Sequence, residues 1–172
     1  VAGGTGGHIF PALAVYEFLH NSNVNMLFAT DKRGLNNKEL YKLDPYLINA
    51  KGFEGKSIMR KIFSICLLFF SFIKSFIFLK RKKISIVIGF GSYVQVPFVL
   101  AALLLNKKIL LHEGNAVIGR ANRIFWKYIN IRTSAFNLDS LNINTITVGM
   151  PVRKEILKLY DNKYSSPQKK QN

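Results

Sequence analysis

His8, Tyr93, His112, Glu113 and Asn115 are the side chains of this sequence best placed to act on a bound molecule. Each is predicted to lie in a loop at the carboxyl end of a strand. An imidazole or carboxylate there can take a proton from a hydroxyl near neutral pH. Asn115 and Tyr93 can hydrogen-bond a polar substrate. The competing readings are plain: a lone loop histidine is often a hydrogen-bonding bystander, and Glu113 has alternative partners in Arg120 or Arg123. His20 ends a predicted helix and reads as a surface residue.

Two glycine-rich loops share that rim. In Gly3-Gly4-Thr5-Gly6-Gly7-His8, four glycines in five positions leave no Cβ to block close approach. An apolar run from Ala12 to Leu19 follows and predicts a helix whose N-terminal N–H groups and partial positive charge suit a phosphate. A tight turn without ligand is the alternative. Gly89-Phe90-Gly91-Ser92-Tyr93 is the second loop. Neither is a standard nucleotide loop. A dinucleotide fingerprint would need glycine at Ile9, although Asp31 stands where a ribose-binding acid would. Gly55-Lys56-Ser57 ends like a P-loop, but the first glycine of that pattern falls on Ala50.

Composition sets the bounds. The 172 residues are 49% hydrophobic and 20% charged, which describes one folded domain with a sizeable core. The formal charge of +16 raises nucleic acid as a partner. There is no zinc spacing, no aromatic RNA-binding motif and no basic recognition helix, so none is expected. Instead, Arg60 and Lys61 precede an apolar stretch and Lys80 to Lys83 follow it, a pattern suited to an anionic lipid surface. The single cysteine, Cys66, excludes a disulfide framework and a cysteine metal cluster. No metal ligand set and no cofactor is expected. No signal peptide precedes the first loop, which points to the cytoplasm. Only Val1 and Ala2 precede that loop, so further strand residues are expected upstream.

The elements that must position these residues alternate. Strands are predicted at Asn25–Ala29, Tyr46–Ile48, Ile84–Ile88, Lys108–Leu111, Ile129–Thr133 and Thr145–Val148. Helices are predicted over Asn36–Leu43, Ile62–Leu79, Pro97–Leu105 and Arg120–Tyr128, with a closing helix after Gly149-Met150-Pro151. The Ile62–Leu79 segment is just long enough to cross a bilayer, but Lys74 lies inside it. Ser64, Ser71 and Ser75 with Lys74 make a thin polar face, so a crossover helix with a membrane-contacting side, a buried helix and a true span are all open. Strand–helix alternation predicts an α/β, doubly wound parallel sheet. With strand order 3-2-1-4-5, ligands bind between the first strand and the Ile84–Ile88 strand, where both glycine loops fall. The domain is expected over 1–164, with a polar tail at 165–172.

Four stretches occur in order: Gly3–Ala12, Gly89–Val94, His112–Asn122 and Val148–Arg153. Together they resemble the amino-terminal domain of the N-acetylglucosaminyltransferases of peptidoglycan synthesis, in glycosyltransferase family 28. The resemblance implies an inverting, metal-independent hexosyltransferase of the two-domain GT-B type, built from Rossmann-like halves. Such enzymes transfer N-acetylglucosamine from UDP-N-acetylglucosamine to the muramic-acid 4-hydroxyl of lipid I, giving lipid II. This chain would supply the acceptor half, with the diphosphate on the glycine loops. It implies catalytic roles for His8 and Glu113. Gly4, Thr5, Gly6, Gly7, Gly89, Gly91, Tyr93, His112, Asn115, Asn122 and Arg153 would bind substrate. Arg60, Lys61, Phe69, Phe72, Phe76, Lys80 and Arg81 would meet the cytoplasmic face of the inner membrane.

Departures from the family pattern bear on activity. Gly114 stands where the family has Gln, Met150 where it has Asn, and Ser92 where it has glycine. Gln95-Val96-Pro97 replaces a Ser-Gly-Pro step. The chain ends soon after Arg153, so a donor-binding domain is expected to be absent, and an inverting transfer needs both sugars held in line. A membrane-surface binding module without catalysis is the competing reading. A nicotinamide-binding domain is a more distant one.

Overall fold

The computed structural model describes residues 1–49, 58–138 and 144–160. β1 (Ala29–Thr30) pairs in parallel with β2 (Tyr46–Leu47). β3 (Ile86–Gly89), β4 (Lys108–Glu113), β5 (Ile131–Ser134) and β6 (Ile146–Thr147) form a second parallel set in that order. Val1 and Ala2 lie between the sets. Val1 N–H donates to Ile88 O at 2.6 Å, Phe90 N–H to Val1 O at 3.2 Å, and Ala2 N–H to Ala29 O at 3.1 Å. The spatial order is therefore β2, β1, Val1–Ala2, β3, β4, β5, β6. The chain reverses its direction of winding between Val1–Ala2 and β3, as the alternation predicts.

Side chains of β3 and β4 alternate between two apolar layers, the period-2 consequence of the pleat. Val87, Ile109 and Leu111 join the larger core with Phe98, Val99, Phe125 and Trp126. Ile88 and Phe90 point the other way, against Ile9, Ala12 and Leu13. Helices thus cover both faces: α1 (Gly6–Asn21) on one, α4 (Val96–Leu104) on the other. α2 (Lys38–Tyr41) is short and starts at Asn37, whose Oδ1 accepts from Glu39 N–H and Leu40 N–H as an N-cap. α5 (Arg120–Phe125) and α6 (Lys154–Tyr160) complete the chain.

Of the boundaries that differ from the sequence expectation, two bear on the candidate site. α1 begins at Gly6, so the second half of the glycine loop is already helical and His8 sits in the first turn. β4 runs to Glu113, which makes His112 and Glu113 strand residues rather than loop residues. Parallel pairing of His112 with Thr133 and Glu113 with Ser134 extends the strand that far.

The long apolar segment is α3 (Ile58–Arg81), a crossover helix between β2 and β3 that packs on α4. Its serines face inward rather than forming an outer polar strip. Ser64, Ser71 and Ser75 are buried, and Ser71 donates to Asn49 O. Small side chains there let α3 approach the domain closely. Phe63, Ile65, Phe69, Phe70, Ile73 and Ile77 remain exposed on the other side. Phe72 and Phe76 do not belong to that outer face: both are half-buried against the larger core. Lys80, Arg81, Lys82 and Lys83 are exposed at its end. The side chains of Arg60 and Lys61, the Gly55-Lys56-Ser57 stretch and the tail from residue 161 lie outside the described residues.

Candidate functional site

The two glycine loops meet. A Cβ on Gly3 would lie 2.3 Å from Val94 Cγ2, one on Gly4 3.6 Å from Ser92 Oγ, and one on Gly91 2.7 Å from His8 Cδ2. Gly91 has φ +94°, a left-handed conformation that glycine tolerates best. Only loops without Cβ atoms at these points can interlock so closely. A cavity of about 860 Å³ opens above the junction, lined by both loops, the Asp31–Arg33 turn and the residues from Glu113 to Asn122.

Loop amides divide into committed and available groups. Gly4 N–H donates to Asp31 Oδ1 at 3.2 Å, and Gly91 N–H to Gln95 Oε1 at 2.8 Å. Those two donors are spent inside the protein, which corrects the expectation that Gly4 and Gly91 offer N–H groups to a ligand; they serve by close approach. Gly6 and Gly7 form no N–H hydrogen bond within the described chain, and Thr5 caps α1 without a side-chain bond. The available donors therefore lie at the α1 N-terminus, where an anion is favoured. Asp31 also accepts from Gly34 N–H at 3.1 Å and from Arg33 Nε at 2.7 Å. Both oxygens thus hold protein donors, and Asp31 ties the Gly4, Arg33 and Gly34 parts of the rim together.

Beneath the second loop runs a buried polar chain. Gln95 Nε2 donates to Asn122 Oδ1 at 2.6 Å, and Asn122 Nδ2 donates to Glu113 Oε2 at 2.8 Å and to His112 O at 3.2 Å. Glu113 Oε2 also accepts from Gly119 N–H at 2.8 Å, at the start of α5. Its Oε1 accepts from Asn115 N–H at 3.0 Å and Asn115 Nδ2 at 2.8 Å. Four N–H donors thus converge on one carboxylate that is 2% exposed. Gly89 makes this possible, since a Cβ there would lie 2.4 Å from Gln95 Oε1.

His8 and His112 part company. His8 lines the cavity; its Nδ1 is 3.4 Å from Thr5 Oγ1, and its other edge lies against Gly91. Burial lowers its pKa; the Glu113 carboxylate opposes that shift and the Arg33 guanidinium adds to it. At neutral pH the ring is uncharged and able to accept a proton. His112 does not line the cavity. It is buried against Phe90, with Nδ1 3.1 Å from Thr133 Oγ1 and Nε2 unpartnered, and burial lowers its pKa as well.

Tyr93, Asn115 and Asn122 line the cavity with Glu113, whereas Gly6, Gly7, Gly89 and Arg153 do not. Arg153 Nη1 bonds Glu39 at 2.7 and 2.8 Å, and its guanidinium sits 4.6 Å from the centre of the Phe10 ring. That arrangement fastens the segment before α6 to α1 and α2. Sequence reasoning missed Gln95, Lys32 and Arg33 as site residues. Gln95 was visible only as a departure from the family pattern; Arg33 carried a signal in the Asp31-Lys32-Arg33-Gly34 turn after β1.

A doubly wound parallel sheet with glycine loops and a cavity at its switch point defines a Rossmann-like ligand-binding domain. The chain belongs to glycosyltransferase family 28: the family's N-terminal domain matches residues 1–132. Among its relatives, the UDP-N-acetylglucosamine–N-acetylmuramyl-(pentapeptide) pyrophosphoryl-undecaprenol N-acetylglucosamine transferase of Francisella tularensis is 39% identical, over 93% of this chain and 46% of that protein. The Rhodospirillum rubrum protein of the same name is 35% identical, over 96% of this chain and 44% of that one. The crystal structure of Acinetobacter baumannii MurG superposes with a TM-score of 0.72 at 28% identity, covering 95% of this chain and 48% of the other. The chain spans just under half the length of the relatives it matches.

Proposed function

We propose that this chain is the acceptor-binding half of a MurG-type transferase, one that moves N-acetylglucosamine from UDP-N-acetylglucosamine to lipid I. One observation carries the reading. Two glycine loops and the Glu113–Asn122 segment interlock around a single cavity, with an uncharged histidine on its wall and the open amides of the α1 N-terminus next in sequence to the cavity-lining Thr5. A diphosphate at the α1 N-terminus would set the attached sugar beside His8. There the neutral imidazole takes the proton of the sugar's 4-hydroxyl as that oxygen attacks the anomeric carbon of the donor, and UDP departs with the bonding electrons. Attack opposite the leaving group inverts that carbon. The donor itself would be held by a second domain.

Glu113 has a different task in this scheme. Its oxygens accept from four N–H groups, so it holds the loop that carries Asn115 against the start of α5, which carries Asn122, and supplies negative charge near His8. The charge favours the imidazolium that forms during transfer. The exposed aromatic side of α3, ending in Lys80–Lys83, would rest on the anionic cytoplasmic face of the inner membrane and bring the cavity to the lipid-linked sugar.

A binding module without catalysis is the second reading. It is favoured at Gly114, where a Cβ would lie 3.1 Å from Met150 Cε, so two polar family positions have become one apolar contact. Joining a donor domain from a relative to this chain, then assaying lipid II formation from lipid I and UDP-N-acetylglucosamine, separates the two. Transfer that is lost in His8→Ala supports the enzyme. Lipid I binding without transfer supports the module.

A further inference from the structure

Arg33 is gripped on one edge and open on the other. Its Nε donates to Asp31 Oδ2 at 2.7 Å, its side chain is 64% exposed, and its Nη groups make no hydrogen bond within the described chain. Asp31 is buried and fixed by the Gly4 and Gly34 amides, so the guanidinium direction is set by backbone. Gly34 cannot be replaced cheaply, because a Cβ there would lie 2.1 Å from Thr30 Oγ1 and 3.1 Å from Thr30 Cβ, so the turn presenting Arg33 depends on a glycine. The fork lies over Gly4, with Nη2 3.3 Å from where a Cβ would be and Ser92 Oγ 3.6 Å from the same point. Arg33 therefore stands where the two glycine loops meet, on the wall of the cavity.

We propose that Arg33, oriented by Asp31, is an anion-binding residue of this site, its two Nη groups gripping a phosphate of the acceptor's diphosphate. The inference rests on the acceptor reading above. Arginine suits the task because its planar fork offers paired donors to phosphate oxygens, whereas lysine offers a point charge. The Asp31 contact takes Nε alone and leaves the fork intact. An exposed ion pair adds little to folding, so removing Arg33 leaves a folded chain. The same charge faces His8, so an anion seated on Arg33 raises the pKa of that imidazole.

The test is calorimetric titration of the 172-residue chain with inorganic pyrophosphate, followed by displacement with a short-prenyl lipid I analogue. Arg33→Gln is expected to weaken pyrophosphate binding by roughly ten- to a hundredfold, the range for hydrogen bonds to a charged group. Arg33→Lys is expected to fall between Arg33→Gln and the native chain. Lys108→Gln removes a charge at the opposite end of β4 and serves as the control, with a change of less than about twofold. NMR titration of His8 should show its pKa rising with pyrophosphate in the native chain and not in Arg33→Gln. Absent pyrophosphate binding, or equal losses in Arg33→Gln and Lys108→Gln, overturns the proposal. If the analogue binds the native chain and Arg33→Gln alike, the acceptor reading stands and Arg33 is not its anion-binding residue. If pyrophosphate follows Arg33 but the analogue does not displace it, the anion site stands and the acceptor reading fails.

Discussion

Gln95 Nε2 and Asn122 Oδ1 are 2.6 Å apart in the protein interior, and this bond ties the loop after β3 to the helix after β4. Through it, Gly91 N–H, Gln95, Asn122 and Glu113 form one satisfied chain of donors and acceptors. Such a buried network holds its members in one arrangement, because breaking any link leaves polar groups unpaired in low dielectric. The cavity wall is therefore a single unit, although its parts come from segments about thirty residues apart in sequence.

Gln95→Met keeps much of the volume and deletes both hydrogen bonds. Gly91 N–H and Asn122 Oδ1 are then buried without partners, at about 1–3 kcal/mol each. The expected destabilisation is roughly 2–4 kcal/mol in urea denaturation. A loss below about 0.5 kcal/mol would show that the network does not hold the wall.

Ser92→Gly should have the opposite sign. Ser92 has φ 67° and ψ 154°, a region nearly restricted to glycine, and such strain costs about 1–3 kcal/mol. Glycine removes the strain but adds unfolded-state entropy of about 0.5–1 kcal/mol. A net gain of about 1 kcal/mol in thermal or urea stability is expected. A destabilised variant would mean that the Ser92 hydroxyl contributes more than the backbone strain costs.

Gly91→Ala tests the contact between the loops. The new methyl group would sit 2.7 Å from His8 Cδ2 and 2.9 Å from Nε2, so the imidazole must move. The ring resonances of His8 should shift and acceptor affinity should fall at least tenfold, with a stability loss of about 1–3 kcal/mol. Unchanged His8 resonances would place the ring elsewhere in solution.

Much of this was legible beforehand. Alternation of apolar strands and helices gave the parallel sheet and its switch point, and glycines at 3, 4, 6, 7, 89 and 91 marked the rim. Arg153 is where motif reading and geometry diverge. It lies in a family stretch, yet its guanidinium is spent on Glu39 and Phe10, partners 114 and 143 residues away that no local pattern reveals. The serines of α3 misled for a related reason. Periodicity shows that they share a face but not that this face packs inward, since close helix packing favours small residues as readily as water favours polar ones. Donor use within the loops was equally invisible, because the Gly4 and Gly91 partners, Asp31 and Gln95, lie outside both motifs.

Folding stability should decline below neutrality through His8 and His112. Burial depresses the pKa of both His8 and His112, so the unfolded chain binds protons more readily than the folded one. Their contribution is complete above the unfolded value near 6.5 and is lost as the pH falls from there through the folded pKa values. Urea midpoints measured between pH 8 and 5 should drop across that window, with a shallower drop in His8→Gln. A midpoint that rises on acidification, or a slope that His8→Gln leaves unchanged, would contradict the assignment.

The proposed membrane contact would use Phe69 and Phe70, which are 59% and 63% exposed on α3, a helix that ends in Lys80 and Arg81. Burying a Phe is worth about 1.5–3 kcal/mol, so Phe69→Ser with Phe70→Ser should weaken binding to anionic vesicles by a hundredfold or more, roughly. Lys80→Gln with Arg81→Gln should cost less, about 1 kcal/mol per charge, and should flatten the salt dependence. Native binding should weaken as salt rises, because the basic contribution is screened within about 10 Å at 0.1 M. Serines buried on the inner side of the helix favour this peripheral arrangement, since a span would have to strip α3 from α4. Association that ignores salt and survives alkaline extraction would instead mean that α3 leaves the domain and crosses the bilayer.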